Sequence, residues 1–153
     1  MADVHDAPTR SRNMAAIRGA DTGPELRIRR ALHARGFRYR LHVKTLPGKP
    51  DLVFPGLGAV VFINGCFWHG HDCALFKWPK SREDFWRAKI SGNIARDAAQ
   101  FTELRARGWR VARVWDCALR GREKRPFDEV ISQLSLWLRS DRPETDLTGR
   151  GAE

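Results

Sequence analysis

The chain has 153 residues and a mass of 17.5 kDa, a size that suits one compact domain. Apolar residues make up 42% and charged residues 30%, enough for a core, which excludes wholesale disorder. No apolar run approaches the roughly 18–20 residues of a bilayer span, and the polar N-terminus lacks a signal-peptide pattern, so a cytoplasmic protein with no membrane partner is expected. Lys and Arg outnumber Asp and Glu by 28 to 18, a net charge of +10. The excess lies in the body of the chain and the last stretch is acidic, so this is no basic tail. Arg predominates, and its planar fork suits phosphate, which makes nucleic acid the first partner to consider.

In chain order, residues 1–22 form a polar arm, with Thr9-Arg-Ser-Arg-Asn-Met14 as its basic part. Thr22-Gly-Pro-Glu25 signals a helix start: Thr22 as N-cap, Pro24 in the first turn, Glu25 as capping-box partner, with Gly36 as the stop. Residues 37–41 alternate as a half-buried strand. Leu46-Pro-Gly-Lys-Pro50 is a turn, and Asp51-Leu-Val-Phe54 a short strand behind it. Residues 59–63 form an apolar run that reads as a central strand buried on both faces.

Residues 64–79 are irregular and rich in Gly, Cys, His and aromatics, a composition typical of functional or metal-held loops. Residues 82–107 predict the longest helix, with Trp86, Ile90, Ile94, Ala98, Phe101 and Leu104 as an apolar stripe. Residues 109–115 read as a strand and residues 130–138 as a last amphipathic helix. The expected organisation is one domain over residues 1–139, followed by a disordered tail over 140–153. Alternating strands and helices give an α/β class with a mixed central sheet flanked by helices.

Two constellations carry chemistry. Cys66, His71 and Cys73 fall within eight residues, and Cys117 follows the strand that ends at Trp115. Together they make a Cys₃His set of the kind that closes a structural Zn²⁺ site, with His69 as an alternative to His71. The bland alternative is three buried thiols beside a surface histidine. The second constellation starts at Asp51, which opens a strand close to the end of the buried strand at Ile63. A nuclease needs a carboxylate to hold Mg²⁺, a second oxygen such as the Ile63 backbone carbonyl, and a proton carrier, here His69 ahead of Glu25. A plain turn-to-strand junction is the competing explanation of Asp51. Phe67, Trp68, Trp78 and Trp86 either pack over the metal loop or wedge between bases.

Asn64-Gly-Cys-Phe-Trp-His69 with His71 and Cys73 resembles the hallmark of the very short patch repair endonucleases. The likeness runs over roughly residues 5–125. It includes Thr9-Arg-Ser, Met14, Glu25, Leu46-Pro-Gly-Lys-Pro-Asp51, Phe85-Trp86, Lys89, Asn93, Asp97 and residues 115–121.

The resemblance implies a variant of the PD-(D/E)XK core, similar to restriction endonucleases and carrying structural zinc. It implies a strand-specific nickase that cuts 5′ to the thymine of a T:G mismatch arising from 5-methylcytosine deamination. Asp51 and the Ile63 carbonyl would hold catalytic Mg²⁺, His69 would be the general acid/base, Glu25 would hold water, and Asp97 would orient His69. Cys66, His71, Cys73 and Cys117 would hold Zn²⁺. Phe67, Trp68 and Trp86 would form a wedge in the major groove, and Met14 would press from the minor groove. Lys89 and Asn93 would read the mismatched pair. The implied partner is double-stranded DNA with a T:G mismatch, bound by a monomer in the bacterial cytoplasm at the nucleoid, with mismatch-repair proteins as candidate partners.

Two positions depart from the pattern. Ile63 stands where some relatives carry Thr, and Asn64 where the best-known pattern has a His supporting the metal-bound waters. Asn64 donates and accepts hydrogen bonds but does not titrate. The rival functions are a restriction-type endonuclease on the same core and a non-catalytic module that binds mismatched DNA.

Overall fold

The computed structural model describes residues 22–152, so the arm containing Met14 lies outside the described residues. Helices α1 (Gly23–Ala34), α2 (Glu83–Ala106) and α3 (Phe127–Leu138) flank five strands. These are β1 (Arg40–Leu41), β2 (Leu52–Phe54), β3 (Ala59–Asn64), β4 (Arg110–Trp115) and β5 (Glu144–Leu147). The sheet order is β1-β2-β3-β4-β5. The first three strands are antiparallel neighbours, while β3–β4 and β4–β5 run parallel, so the sheet is mixed as expected.

Alternation along the strands divides the core between two faces. On one face Leu52, Phe54, Ala59, Val61, Ala112 and Val114 pack against Ile28 and Leu32 of α1 and the buried side of α3. On the other, Val53, Val60 and Val111 meet Leu104 and Phe101 of α2. The run 59–63 is thus the central strand its composition predicts, with Ala59, Val60 and Val61 fully buried. Arg110 fixes the C-terminal end of α3. Its guanidinium donates to the carbonyls of Trp137 at 3.1 Å and Leu138 at 2.9 Å in the last turn, the Trp137 carbonyl also accepting the Ser140 N–H at 3.0 Å.

Four expectations change. The strand over 37–41 shrinks to Arg40–Leu41, because Phe37 closes the end of α1 with its N–H on the Leu32 carbonyl and enters the core. Thr22 caps α1 through the Glu25 N–H, at 3.4 Å, but the Glu25 carboxylate turns to Arg29 and His42 instead of completing a capping box. The stripe on α2 is buried only at Ile90 and Leu104; Trp86 and Phe101 are half-buried, Ile94 is 46% exposed and Ala98 is exposed. The tail is not disordered throughout, since Glu144–Leu147 pairs with β4 as an edge strand.

That edge strand is polar and is held largely by side chains from its neighbour. Asp146 accepts from Arg113 Nε at 2.7 Å and Nη2 at 2.8 Å, and from Trp115 Nε1 at 2.9 Å. Such charge-assisted, bidentate contacts compensate for weak strand propensity. Asp146→Ala should therefore destabilise the fold by roughly 1–2 kcal/mol, discounted for the partial exposure of the pair. Removal of residues 140–153 should cost more, read as a lower urea midpoint; an unchanged midpoint in both variants would show β5 to be dispensable.

Candidate active site and metal centre

β3 and β4 run out together, with Asn64 opposite Trp115, and a cleft of about 1010 Å³ opens beyond their C-terminal ends. Asp51 from the start of β2, Asn64, His69, Glu25 of α1 and Lys89, Asn93 and Asp97 of α2 all line it. Most of the residues expected to do chemistry are therefore brought to one place.

Asp51 is fixed by the strand beside it: its Oδ2 accepts the Ile63 N–H at 2.7 Å. Burial lifts its carboxyl from the ordinary 3.8 to about 6, the Ile63 hydrogen bond opposing the shift and the nearby Glu25 charge adding to it. Glu25 is 1% exposed, a depth at which a carboxylate needs partners. Arg29 Nη1 lies 3.0 Å from its Oε2 and His42 Nε2 lies 2.9 Å from the same oxygen. His42 also places Nδ1 4.0 Å from Asp51 Oδ1. Sequence reasoning missed His42, because nothing in its spacing separates it from a surface histidine in a loop. Glu25, His42 and Asp51 each offer a donor atom within 4.8 Å of the others, a mixed N/O set that a single divalent cation can bridge.

His69 Nδ1 sits 2.6 Å from Asp97 Oδ2, the kind of contact that fixes a tautomer and a ring orientation. Asp97 belongs to a polar stripe of α2, with Lys89, Asn93 and Gln100, that faces the cleft at helical spacing. The Asn93 amide donates to the Trp68 carbonyl at 2.8 Å and so ties the aromatic loop to α2. Gly70 brings that loop against the helix: its φ is +60°, and a Cβ there would lie 2.6 Å from Ile94 Cδ1.

Phe67, Trp68 and Trp86 form one aromatic cluster, with ring centroids 5.3–5.8 Å apart. Trp68 is 38% exposed, and Trp68 and Trp86 stand in the lining of the cleft. Phe67 instead stacks on Phe76, with centroids 5.8 Å apart.

Beside the cleft, Cys66, His71, Cys73 and Cys117 bring one donor atom each within 4.8 Å of one another. His69 is turned away to Asp97, so His71 is the histidine of this cluster. The His71 ring stacks on Trp115 at 4.1 Å between centroids, and burial lowers its pKa, which favours the neutral, ligating imidazole. Burial pushes the Cys66 and Cys117 thiols up, while backbone N–H groups point at both sulfurs: Cys117 N–H at Cys66 Sγ, 3.3 Å, and Gly149 N–H at Cys117 Sγ, 3.2 Å. Such N–H···S contacts stabilise thiolates, so the donor set fits a tetrahedral metal ion. The Gly149 contact was not legible in the sequence, since it depends on β5 returning the chain to this point.

The raised pKa of Asp51 carries a stability consequence. Its charged form is penalised by the fold, so the penalty is fully present above about pH 6 and vanishes below pH 3.8. Without added divalent ions, Asp51→Asn should stabilise the protein at pH 8 by up to about 3 kcal/mol, and the gain should fade to nothing by pH 4. Urea titrations across this range check the claim; a gain independent of pH would contradict it.

The family model described as DNA mismatch endonuclease Vsr matches residues 2–75. The chain is 46% identical over 138 residues to the DNA mismatch endonuclease Vsr of Escherichia coli, covering 90% of this chain and 88% of the relative. It is 52% identical over 106 residues to the Type II nicking enzyme V.XorIIP of Xanthomonas oryzae, covering 69% and 78%. It is 43% identical over 122 residues to the Type II nicking enzyme V.NmeAIP of Neisseria meningitidis, covering 80% and 87%. With a carboxylate-and-histidine cleft beside a cysteine cluster, and likeness over most of its length, the chain belongs to the Vsr family of DNA mismatch endonucleases.

Proposed function

We propose that this protein nicks one strand of duplex DNA on the 5′ side of the thymine in a T:G mismatch, on a variant of the PD-(D/E)XK core. The observation that carries the reading is the meeting of Asp51, the His69–Asp97 pair and the rim aromatics Trp68 and Trp86 in one cleft. Mg²⁺, held by Asp51 and the Ile63 carbonyl, would supply charge neutralisation at the scissile phosphate. Zn²⁺ is the structural ion that best suits the Cys₃His donor set.

The chain's own groups divide the remaining work. Asp97 holds His69 by Nδ1, which leaves Nε2 to exchange a proton with the attacking water or the leaving oxygen. Glu25, buried and ion-paired, positions water from the wall of the cleft, and Asn64 adds a hydrogen-bonding amide without a titrating group. Lys89 stands over the cleft, where its charge favours phosphate and the mismatched pair. Asn93 is engaged with the Trp68 carbonyl, so reading of the pair requires it to exchange that partner for a base edge as the wedge enters.

Phe67, Trp68 and Trp86 must offset unstacking of a few kcal/mol per step, and a T:G wobble lowers that cost. Selection is therefore partly energetic: the site that opens most easily is taken. Met14 acts from the opposite groove, and the protein works as a monomer in the cytoplasm. No described helix is long and apolar enough to cross a membrane. Repair proteins would follow the nick.

A nicking assay on end-labelled duplexes tests this directly. A single Mg²⁺-dependent nick 5′ to the thymine is expected on T:G duplex, with none on matched T:A. Asp51→Ala should abolish cutting and retain mismatch binding. Trp68→Ala should weaken mismatch binding by roughly 1–3 kcal/mol, with far less effect on matched DNA. Equal cutting of matched and mismatched duplex would favour a restriction-type enzyme, and binding with no cutting a non-catalytic module.

A further inference from the structure

We propose that His42 is a ligand to the divalent ion of the cleft, forming with Glu25 and Asp51 a three-donor site that favours Mn²⁺ over Mg²⁺. The inference rests on the metallonuclease reading of this cleft and changes the set of groups that hold its ion.

The register brings His42 to Asp51. β1 and β2 pair Arg40 with Val53 and Leu41 with Leu52, and the His42 N–H then donates to the Asp51 carbonyl at 3.2 Å. His42 is therefore the residue opposite Asp51 at the end of an antiparallel ladder. Its φ of +49° is a conformation that non-glycine residues adopt at a cost, and here it accompanies a ring lodged between two carboxylates. Nε2 stands 2.9 Å from Glu25 Oε2, close to the separation of adjacent ligands around an ion with bonds of about 2.1 Å. One donor atom from each of Glu25, His42 and Asp51 lies within 4.8 Å of the others, so Nε2 of His42 can share an ion with Glu25 once Asp51, now 4.0 Å from Nδ1, closes on it.

The ligand chemistry sets the preference. Two carboxylates alone form a hard, all-oxygen site that suits Mg²⁺, a strongly hydrated ion. An imidazole nitrogen adds a borderline donor, which gains little with Mg²⁺ and more with first-row transition ions. The second imidazole lining the cleft, His69, has its Nδ1 engaged by Asp97 at 2.6 Å. Glu25 is 1% exposed and its Oε2 faces Arg29 Nη1 at 3.0 Å and His42 Nε2 at 2.9 Å, so an ion shared with His42 and Asp51 would sit against an already ordered carboxylate.

Mn²⁺ is the probe, titrated into the full chain as purified and followed by electron paramagnetic resonance, with Mg²⁺ affinity measured by competition. Wild type should bind Mn²⁺ at least about tenfold more tightly than Mg²⁺ and show nitrogen coupling in the electron spin echo. His42→Gln keeps a polar side chain of similar reach but removes the imidazole. It should weaken Mn²⁺ about tenfold, leave Mg²⁺ within about threefold, and abolish the nitrogen coupling. His69→Ala should retain that coupling. Circular dichroism confirms that each variant folds. Unchanged Mn²⁺ affinity and coupling in His42→Gln would overturn the proposal and leave His42 as a residue that orients Glu25. Loss of coupling in His69→Ala alone would overturn it in favour of His69. If Asp51→Asn also binds Mn²⁺ normally, the metallonuclease reading of the cleft falls with it.

Discussion

The parallel pairing of β3 with β4 is the constraint on which the rest of the molecule depends. The two strands are in register from Ala59 opposite Arg110 to Asn64 opposite Trp115, and they are buried against helices on both faces. Their shared C-terminal end launches both chemical centres. From β3, the Ile63 N–H clamps Asp51 and Cys66 enters the cysteine cluster two residues beyond the strand. From β4, Trp115 stacks on His71 and Cys117 follows directly. Two donor sets built from distant parts of the sequence are thus indexed to one rigid edge. Functional geometry needs that kind of support, because reactive side chains carried on loops alone drift.

Function here opposes stability. The cleft gathers Glu25, Asp51 and Asp97, and burial penalises the charge of Asp51, with the nearby Glu25 adding to the effect. A buried carboxylate raised to about pH 6 is a poor structural element, yet a prepared ligand, since a cation removes the cause of the penalty. The surrounding fold offsets the cost with a continuous core from α1 through the sheet to α3. The cysteine cluster has the opposite balance. Its N–H···S contacts and the Trp115–His71 stack organise an irregular loop that has little packing of its own.

Much of this was legible in the sequence where one physical signal dominated. The apolar run 59–63 could only be a strand buried on both faces, and the cysteines and His71 stood at spacings that metals use. Asp51 was identifiable by its place before a short strand, and His69 by its loop. The misses share a different cause: each depends on contacts between residues far apart in the chain. β5 is a polar segment that becomes a strand because Arg113 and Trp115 hold Asp146. His42 matters because the β1–β2 register sets it opposite Asp51, and a lone loop histidine carries no such mark. On α2 the apolar residues drew attention, but the polar stripe of Lys89, Asn93 and Asp97 faces the cleft, while Ile94 stays 46% exposed beside Gly70.

The cysteine cluster and the carboxylate cleft are held by the same strand ends, so loosening one must weaken the other. Calorimetric titration of Mg²⁺ into Cys73→Ser tests this, because Cys73 is the half-buried cysteine of the cluster and lies outside the β3–β4 core. The account predicts that this variant keeps its helical circular dichroism and binds Mg²⁺ about tenfold or more weakly than the wild type, the usual scale for a disturbed supporting shell. A folded variant that binds Mg²⁺ with unchanged affinity would show the two sites to be independent.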